Sequence, residues 1–225
     1  WRRSRHYALP VSARIQTWNN NRADYSGRRF YPLDANLDGL TDLLFVQEGK
    51  LQIFLQQSDG SFNTEPWLPG WPVTLSTEQQ ADQRSDAGRS YSGQNISSLE
   101  EVRDLDGDGI PDLVVRIEQI ADALERSARF QVYFGRQIEA GLSFPAQFDT
   151  EIKVDSVPTE VVIADFNGDG RPDIVALFAQ GDERMMLYTN QGGLNFSETR
   201  LLRFPSIYGT SSFDMGDVDG DGDLD

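Results

Sequence analysis

The chain of 225 residues is predicted to be an all-β repeat protein, and three observations carry that prediction. A nine-residue acidic pattern, D-x-[DN]-x-D-G-x-x-D, occurs four times. Behind the first three copies stands a short apolar run, at 43–46, 113–117 and 174–178, as expected of strands covered on both faces. Composition agrees, since 20 Gly and 10 Pro beside 38% hydrophobic residues describe a turn-rich chain.

The four copies start at Asp34, Asp104, Asp165 and Asp217, spaced 70, 61 and 52 residues apart. A repeat of this kind is one structural unit joined by loops of variable length. Side-chain oxygens stand at positions 1, 3, 5 and 9. These are Asp34, Asn36, Asp38 and Asp42 in the first copy, and Asp104, Asp106, Asp108 and Asp112 in the second. The third copy has Asp165, Asn167, Asp169 and Asp173, and the fourth Asp217, Asp219, Asp221 and Asp225. Position 7 adds a backbone carbonyl, from Leu40, Ile110, Arg171 and Asp223 in turn. Position 6 is always Gly, which permits a sharp turn. Position 4 is Gly in three copies and Leu37 in the first.

An all-oxygen set at these positions suits a hard cation, and Ca²⁺ takes six to eight oxygens at about 2.3–2.6 Å. Without a cation, such closely packed carboxylates repel one another. The EF-hand starts in the same way but needs a bidentate Glu at position 12 and flanking helices. Position 12 here is Phe45, Val115 and Ala176, each inside an apolar run. The pattern is not an EF-hand.

Four such loops, each leading into a buried strand, resemble the FG-GAP/VCBS repeats of calcium-binding β-propellers, found in integrin α-subunit heads and in many secreted bacterial proteins. The resemblance covers roughly residues 24–225 and implies blades of four antiparallel strands, with a calcium loop between the first and second strand of each. It implies up to four Ca²⁺ sites, one per loop. One function does not follow, because a propeller hosts many.

On this reading residues 1–23 end a preceding blade, 24–97, 98–159 and 160–210 are blades, and 211–225 begin another. In the first blade, strands are expected at 29–33, 43–46 and 50–56, the last with the period-2 alternation of Leu51, Ile53 and Leu55. Ser58, Asp59 and Gly60 form a turn, and an outer strand starts at Phe62. Residues 76–97 are polar and without periodicity. In the second blade, 99–103 and 113–117 are followed by an inserted turn at 119–129 with room for a short helix, then by strands at 130–134 and 144–154. The third has strands at 161–164, 174–178, 185–189 and 196–203.

Charge and composition narrow the function classes. Of the 36 acidic residues, 15 lie in the four loops, so four divalent cations would halve the net charge of −16. The acidity is therefore read as cation binding. Nucleic acid is excluded as a partner, because phosphate contacts need clustered Lys and Arg. The chain has no Cys, hence no disulfides and no thiolate metal site. It has no long apolar span for membrane insertion. Carboxylate loops with dissociation constants of about 10⁻⁴–10⁻³ M fill at extracellular calcium levels, so an extracellular, cell-surface or periplasmic place is expected. The chain has no initiator Met and ends inside a loop, which reads as a piece of a longer protein. Neighbouring domains or subunits are then expected to complete the propeller.

Catalysis has little to build on, with a single His6 and no Cys nucleophile. The expectation is a non-enzymatic recognition or adhesion module for a protein or glycan, with calcium structural. Its rivals are a non-catalytic scaffold of a secreted toxin or polysaccharide-active enzyme, and a subunit of an extracellular filament. Outside the loops, Trp67 and Trp71 of the run Glu65-Pro66-Trp67-Leu68-Pro69-Gly70-Trp71-Pro72, together with Tyr91, are the ligand-site candidates. The competing reading packs the tryptophans between blades.

Overall fold

The computed structural model describes residues 14–18, 22–26, 30–47, 49–73, 75, 94–120, 126–154, 156–178, 185–193, 195–202 and 216. Among them there are fifteen β-strands and no helix, so none is long and apolar enough to cross a membrane. The protein is all-β. Its chain divides into two compact units, Trp1–Thr74 with Arg136–Phe144, and Leu75–Gly135 with Pro145–Asp225.

In the first unit, β1 (Arg14–Trp18) and β2 (Arg22–Ser26) form an antiparallel hairpin. β3 (Phe30–Leu33), β4 (Asp42–Gln47) and β5 (Lys50–Phe54) form an antiparallel sheet in that order. Alternation directs Tyr31 and Leu33 inward, while Leu44 and its cross-strand partner Ile53 are fully buried. The outer strand expected from Phe62 is reduced to two bridges, Gln56 with Phe62 and Ile53 with Trp67.

Trp71 is held inside this unit. Its indole N–H donates to the Leu142 carbonyl at 2.8 Å, and its ring meets Phe144 edge-on at 4.7 Å and Trp67 at 6.4 Å. Leu142 belongs to a hairpin of β9 (Arg136–Ile138) and β10 (Gly141–Ser143). The hairpin docks on the first acidic loop, the Leu142 N–H donating to the Ala35 carbonyl at 2.9 Å. Gly141 is required there, because it sits at φ +112° and a Cβ would meet the Ala35 oxygen at 2.8 Å.

The second unit holds two four-stranded antiparallel sheets. One runs β11-β8-β7-β6, from β6 (Gln94–Arg103), β7 (Asp112–Ile120), β8 (Arg126–Tyr133) and β11 (Thr150–Val154). The other runs β12-β13-β14-β15, from β12 (Glu160–Ala164), β13 (Asp173–Leu177), β14 (Met185–Asn190) and β15 (Phe196–Leu202). All five residues of β13 are buried, as its continuous apolar run predicts. One core cluster draws on both sheets, including Phe130, Val132, Ile174 and Ala176. Full burial of a side chain such as Phe130 contributes about 1.5–3 kcal/mol.

Three expectations need correction. The turn placed at 119–129 is strand at both ends, since β7 reaches Ile120 and β8 starts at Arg126. Cross-strand pairs such as Glu118 with Ala128 extend the sheet where sequence polarity suggested a loop. The strand expected at 144–154 is strand only over β11; residues 144–149 are not strand, and Phe144 packs on Trp71. Residues 94–97 of the polar stretch belong to β6. Residues 76–93, with Tyr91, and 203–215 lie outside the described residues.

Candidate metal centre

Each of the three described acidic loops connects the first two strands of a sheet, between β3 and β4, β6 and β7, and β12 and β13. In each of these loops the position-1 carboxylate accepts the position-6 N–H and one further backbone N–H of the loop. In the second loop, Asp104 at position 1 accepts the Gly107 and Gly109 N–H groups at 2.7 and 2.8 Å. Asp106 accepts from Asp108 N–H at 3.1 Å, and Asp108 from Ile110 N–H at 2.7 Å. The first and third loops repeat this, with Gly39 and Gly170 N–H on Asp34 and Asp165 at 2.8 Å in both. The position-6 glycines share φ near +85°: Gly39 +84°, Gly109 +86° and Gly170 +85°. At position 4, Leu37 is forced to φ +59° where its counterparts are Gly107 and Gly168, a left-handed conformation that costs a residue with a Cβ about 1–2 kcal/mol.

Position 9 is the loop's anchor. Asp42, Asp112 and Asp173 are fully buried, and both oxygens of each accept a backbone N–H. One donor is the position-2 residue: Ala35 at 2.9 Å, Leu105 at 2.7 Å and Phe166 at 3.2 Å. The other follows the sheet's third strand or ends it: Gln56, Gly135 and Asn190, each at 2.8 Å. Burial raises all three carboxyls above the usual range, most for Asp112, which is pushed up to about 7. The two N–H bonds oppose that rise, and the charges of Asp106 and Asp104 add to it.

The carboxylates at positions 1, 3 and 5 of the second loop meet, since Asp104, Asp106 and Asp108 offer oxygens within 4.8 Å of one another. None of the three has an ion-pair partner among the described residues. Asp106 is also raised, by burial first and then by the charges of Asp108 and Asp104. Two oxygens on one Ca²⁺ can stand at most about 5 Å apart, twice the metal–oxygen distance, so this donor set fits that ion in span, hardness and charge. Asp112 is not in the trio; its oxygens accept N–H bonds and keep further lone pairs for a cation.

The other two described loops neutralise part of their charge internally. The Asn36 amide donates to Asp38 at 2.9 Å, and the Asn167 amide to Asp169 at 3.1 Å. In the third loop, Arg171 adds a salt bridge to Asp169 at 2.7 Å. The position-7 residues Leu40 and Ile110 bring no charge. The fourth loop, with Asp217, Asp219, Asp221, Asp223 and Asp225, lies outside the described residues.

Sequence reasoning missed Asn190, which bonds to two loops at once. Its signal was available: β14 alternates, and Met186, Tyr188 and Asn190 are its buried members, leaving a polar side chain at a core position. Of the ligand-site candidates, Trp67 and Trp71 are half-buried and packed together, with the Trp71 N–H already used.

Comparison with known proteins gives three findings. A family model described as FG-GAP-like repeat matches residues 34–115, 104–176 and 165–225, each match starting at the first Asp of a loop. No curated protein matches. Among solved structures, a match is an Agrocybe aegerita lectin described for specific recognition of non-reducing terminal N-acetylglucosamine. The identity is 13% and the TM-score 0.33, with 78% of this chain and 53% of that chain covered, a likeness too slight to carry an argument. The chain thus spans about half the length of that solved protein. With the repeat model matched across 34–225 and two four-stranded antiparallel sheets among the described residues, the chain belongs to the FG-GAP-like repeat family of β-propeller repeats.

Proposed function

We propose that this chain is a calcium-stabilised recognition module, part of a β-propeller that works outside the cell. The observation that carries the reading is the convergence of Asp104, Asp106 and Asp108 on one point without a counter-charge among the described residues. In the second loop those three side chains, with Asp112 and the Ile110 carbonyl, would hold the ion. Asp34, Asn36, Asp38, Asp42 and the Leu40 carbonyl would do so in the first. Asp165, Asn167, Asp169, Asp173 and the Arg171 carbonyl would do so in the third. The ion supplies positive charge that lets buried and clustered carboxylates stay ionised, and its binding free energy becomes folding free energy.

Calcium is structural on this reading, and the chain binds rather than catalyses. Support comes from the three described loops, whose acidic groups accept N–H bonds from their own backbone. The partner is a protein or glycan met by loops that the calcium-clipped blades hold in place. The test is a glycan and extracellular-matrix array probed in calcium and again after chelation. Calcium-dependent binding to one ligand class is expected. Silence in both conditions, from protein shown to be folded, would contradict recognition and favour a scaffold role.

A further inference from the structure

Asn190 sits where two repeats meet, and every polar group it has is used. Its backbone N–H donates to Asp173, position 9 of the third loop, at 2.8 Å. Its side-chain amide donates to the Leu105 carbonyl at 2.7 Å and to the Pro172 carbonyl at 3.2 Å. Its side-chain oxygen accepts from Gly192 N–H at 3.0 Å, and its carbonyl from Arg171 at 3.2 Å. The residue is 4% exposed.

Leu105 is position 2 of the second loop, and its N–H donates to Asp112, position 9 of that loop. One buried chain of hydrogen bonds therefore runs Asp112, Leu105, Asn190, Asp173. Both ends are the anchoring carboxylates of acidic loops, and the join spans 85 residues of sequence. Arg171 links the same asparagine to Asp169, position 5 of the third loop.

We propose that Asn190 is a coupling residue that makes the second and third loops fill with cation cooperatively. This rests on the calcium reading above. A cation held in the second loop fixes that loop's anchor, and with it the Leu105 carbonyl that the Asn190 amide must meet. Asn190 held in place presents its N–H to Asp173 and orders the third loop before any ion arrives. The second ion then meets a smaller ordering cost, which is positive coupling without a change of shape, and linkage makes the effect reciprocal. The first loop offers an internal comparison. Its position-2 carbonyl, Ala35, is met by the Leu142 backbone N–H instead of a side chain, so changes at Asn190 do not touch it.

The test reads each loop separately, by hydrogen–deuterium exchange of the full chain across a calcium titration. In the wild-type chain, Asp108→Ala is expected to shift the calcium midpoint for protection of residues 165–173 upward by about fivefold or more, the low end of measured couplings. In an Asn190→Ala background the same change leaves that midpoint where it was. Should Asn190→Ala fail to fold, Asn190→Ser keeps a small polar group and serves in its place. The wild-type and Asp108→Ala comparison alone also decides. A third-loop midpoint indifferent to Asp108, in a chain that takes up calcium, overturns the coupling and leaves the calcium reading intact. A wild-type chain that takes up no calcium overturns both.

Discussion

The second and third loops share a backbone and differ in how they handle charge. Both hang from a buried position-9 aspartate with two N–H donors, and both turn on a glycine near φ +85°. In the second, Asp106 and Asp108 face each other with Asp104 close by. In the third, an amide stands in for the position-3 carboxylate, and Arg171 caps Asp169 at 2.7 Å. One loop leaves its clustered carboxylates without a counter-charge among the described residues, and the other carries part of its own. Backbone geometry is thus the common scaffold, and on the proposed calcium reading positions 3 and 7 would set how much positive charge each loop takes from solution.

The largest expected effect lies in what the loops share. Asp112→Ala and Asp173→Ala should cost alike, because each orphans two backbone N–H groups at a fully buried site. At about 1–3 kcal/mol per unsatisfied group, denaturant unfolding in chelator should show a loss of about 2–6 kcal/mol for either. A large difference between the two would deny the common scaffold.

The next effect separates the loops. Asp108→Ala removes one of three clustered carboxylates, so it should lower the melting temperature in calcium and leave it equal or higher in chelator. Asp169→Ala also breaks the Arg171 bridge and should lower melting in both conditions. If both variants melt like the wild type with and without chelator, the ligand assignment is wrong.

Smaller again is Arg171→Leu. Its bridge is partly exposed, worth at most about 1 kcal/mol, so stability in chelator should fall only slightly. Calcium midpoint measurements on residues 165–173 should show the third loop binding several-fold more tightly without its resident cation. Smallest is Leu37→Gly, which relieves a left-handed leucine at about 1–2 kcal/mol against the greater unfolded-state freedom of Gly, about 0.5–1 kcal/mol. Thermal unfolding should show a gain of up to about 1 kcal/mol.

The features legible in sequence were local ones. Ligand spacing within nine residues, the glycine at position 6 and the apolar run behind the loops marked them, and the resemblance to FG-GAP repeats implied their place between the first two strands of a blade. What escaped was long-range. Nothing near Trp71 announces that its N–H meets a carbonyl 71 residues on, and nothing near Leu105 announces Asn190. The β9–β10 hairpin was not foreseen because its hold on Ala35 depends on distant backbone, and Gln119, Ile120 and residues 126–129 pair as strand through cross-strand partners. Asn190 alone left a trace, as a polar residue on the buried face of an alternating strand.

The central claim is that the acidic loops take calcium as part of the fold. Its most direct test is calorimetric melting of the wild-type chain in about 10 mM calcium and after chelation, a tenfold excess over a dissociation constant of about 10⁻³ M. Each filled loop then adds about 1.4 kcal/mol. At about 2–4 °C per kcal/mol, melting should rise by about 3–6 °C per loop, and magnesium at the same concentration should do less. Coincident melting curves with and without calcium would contradict the account.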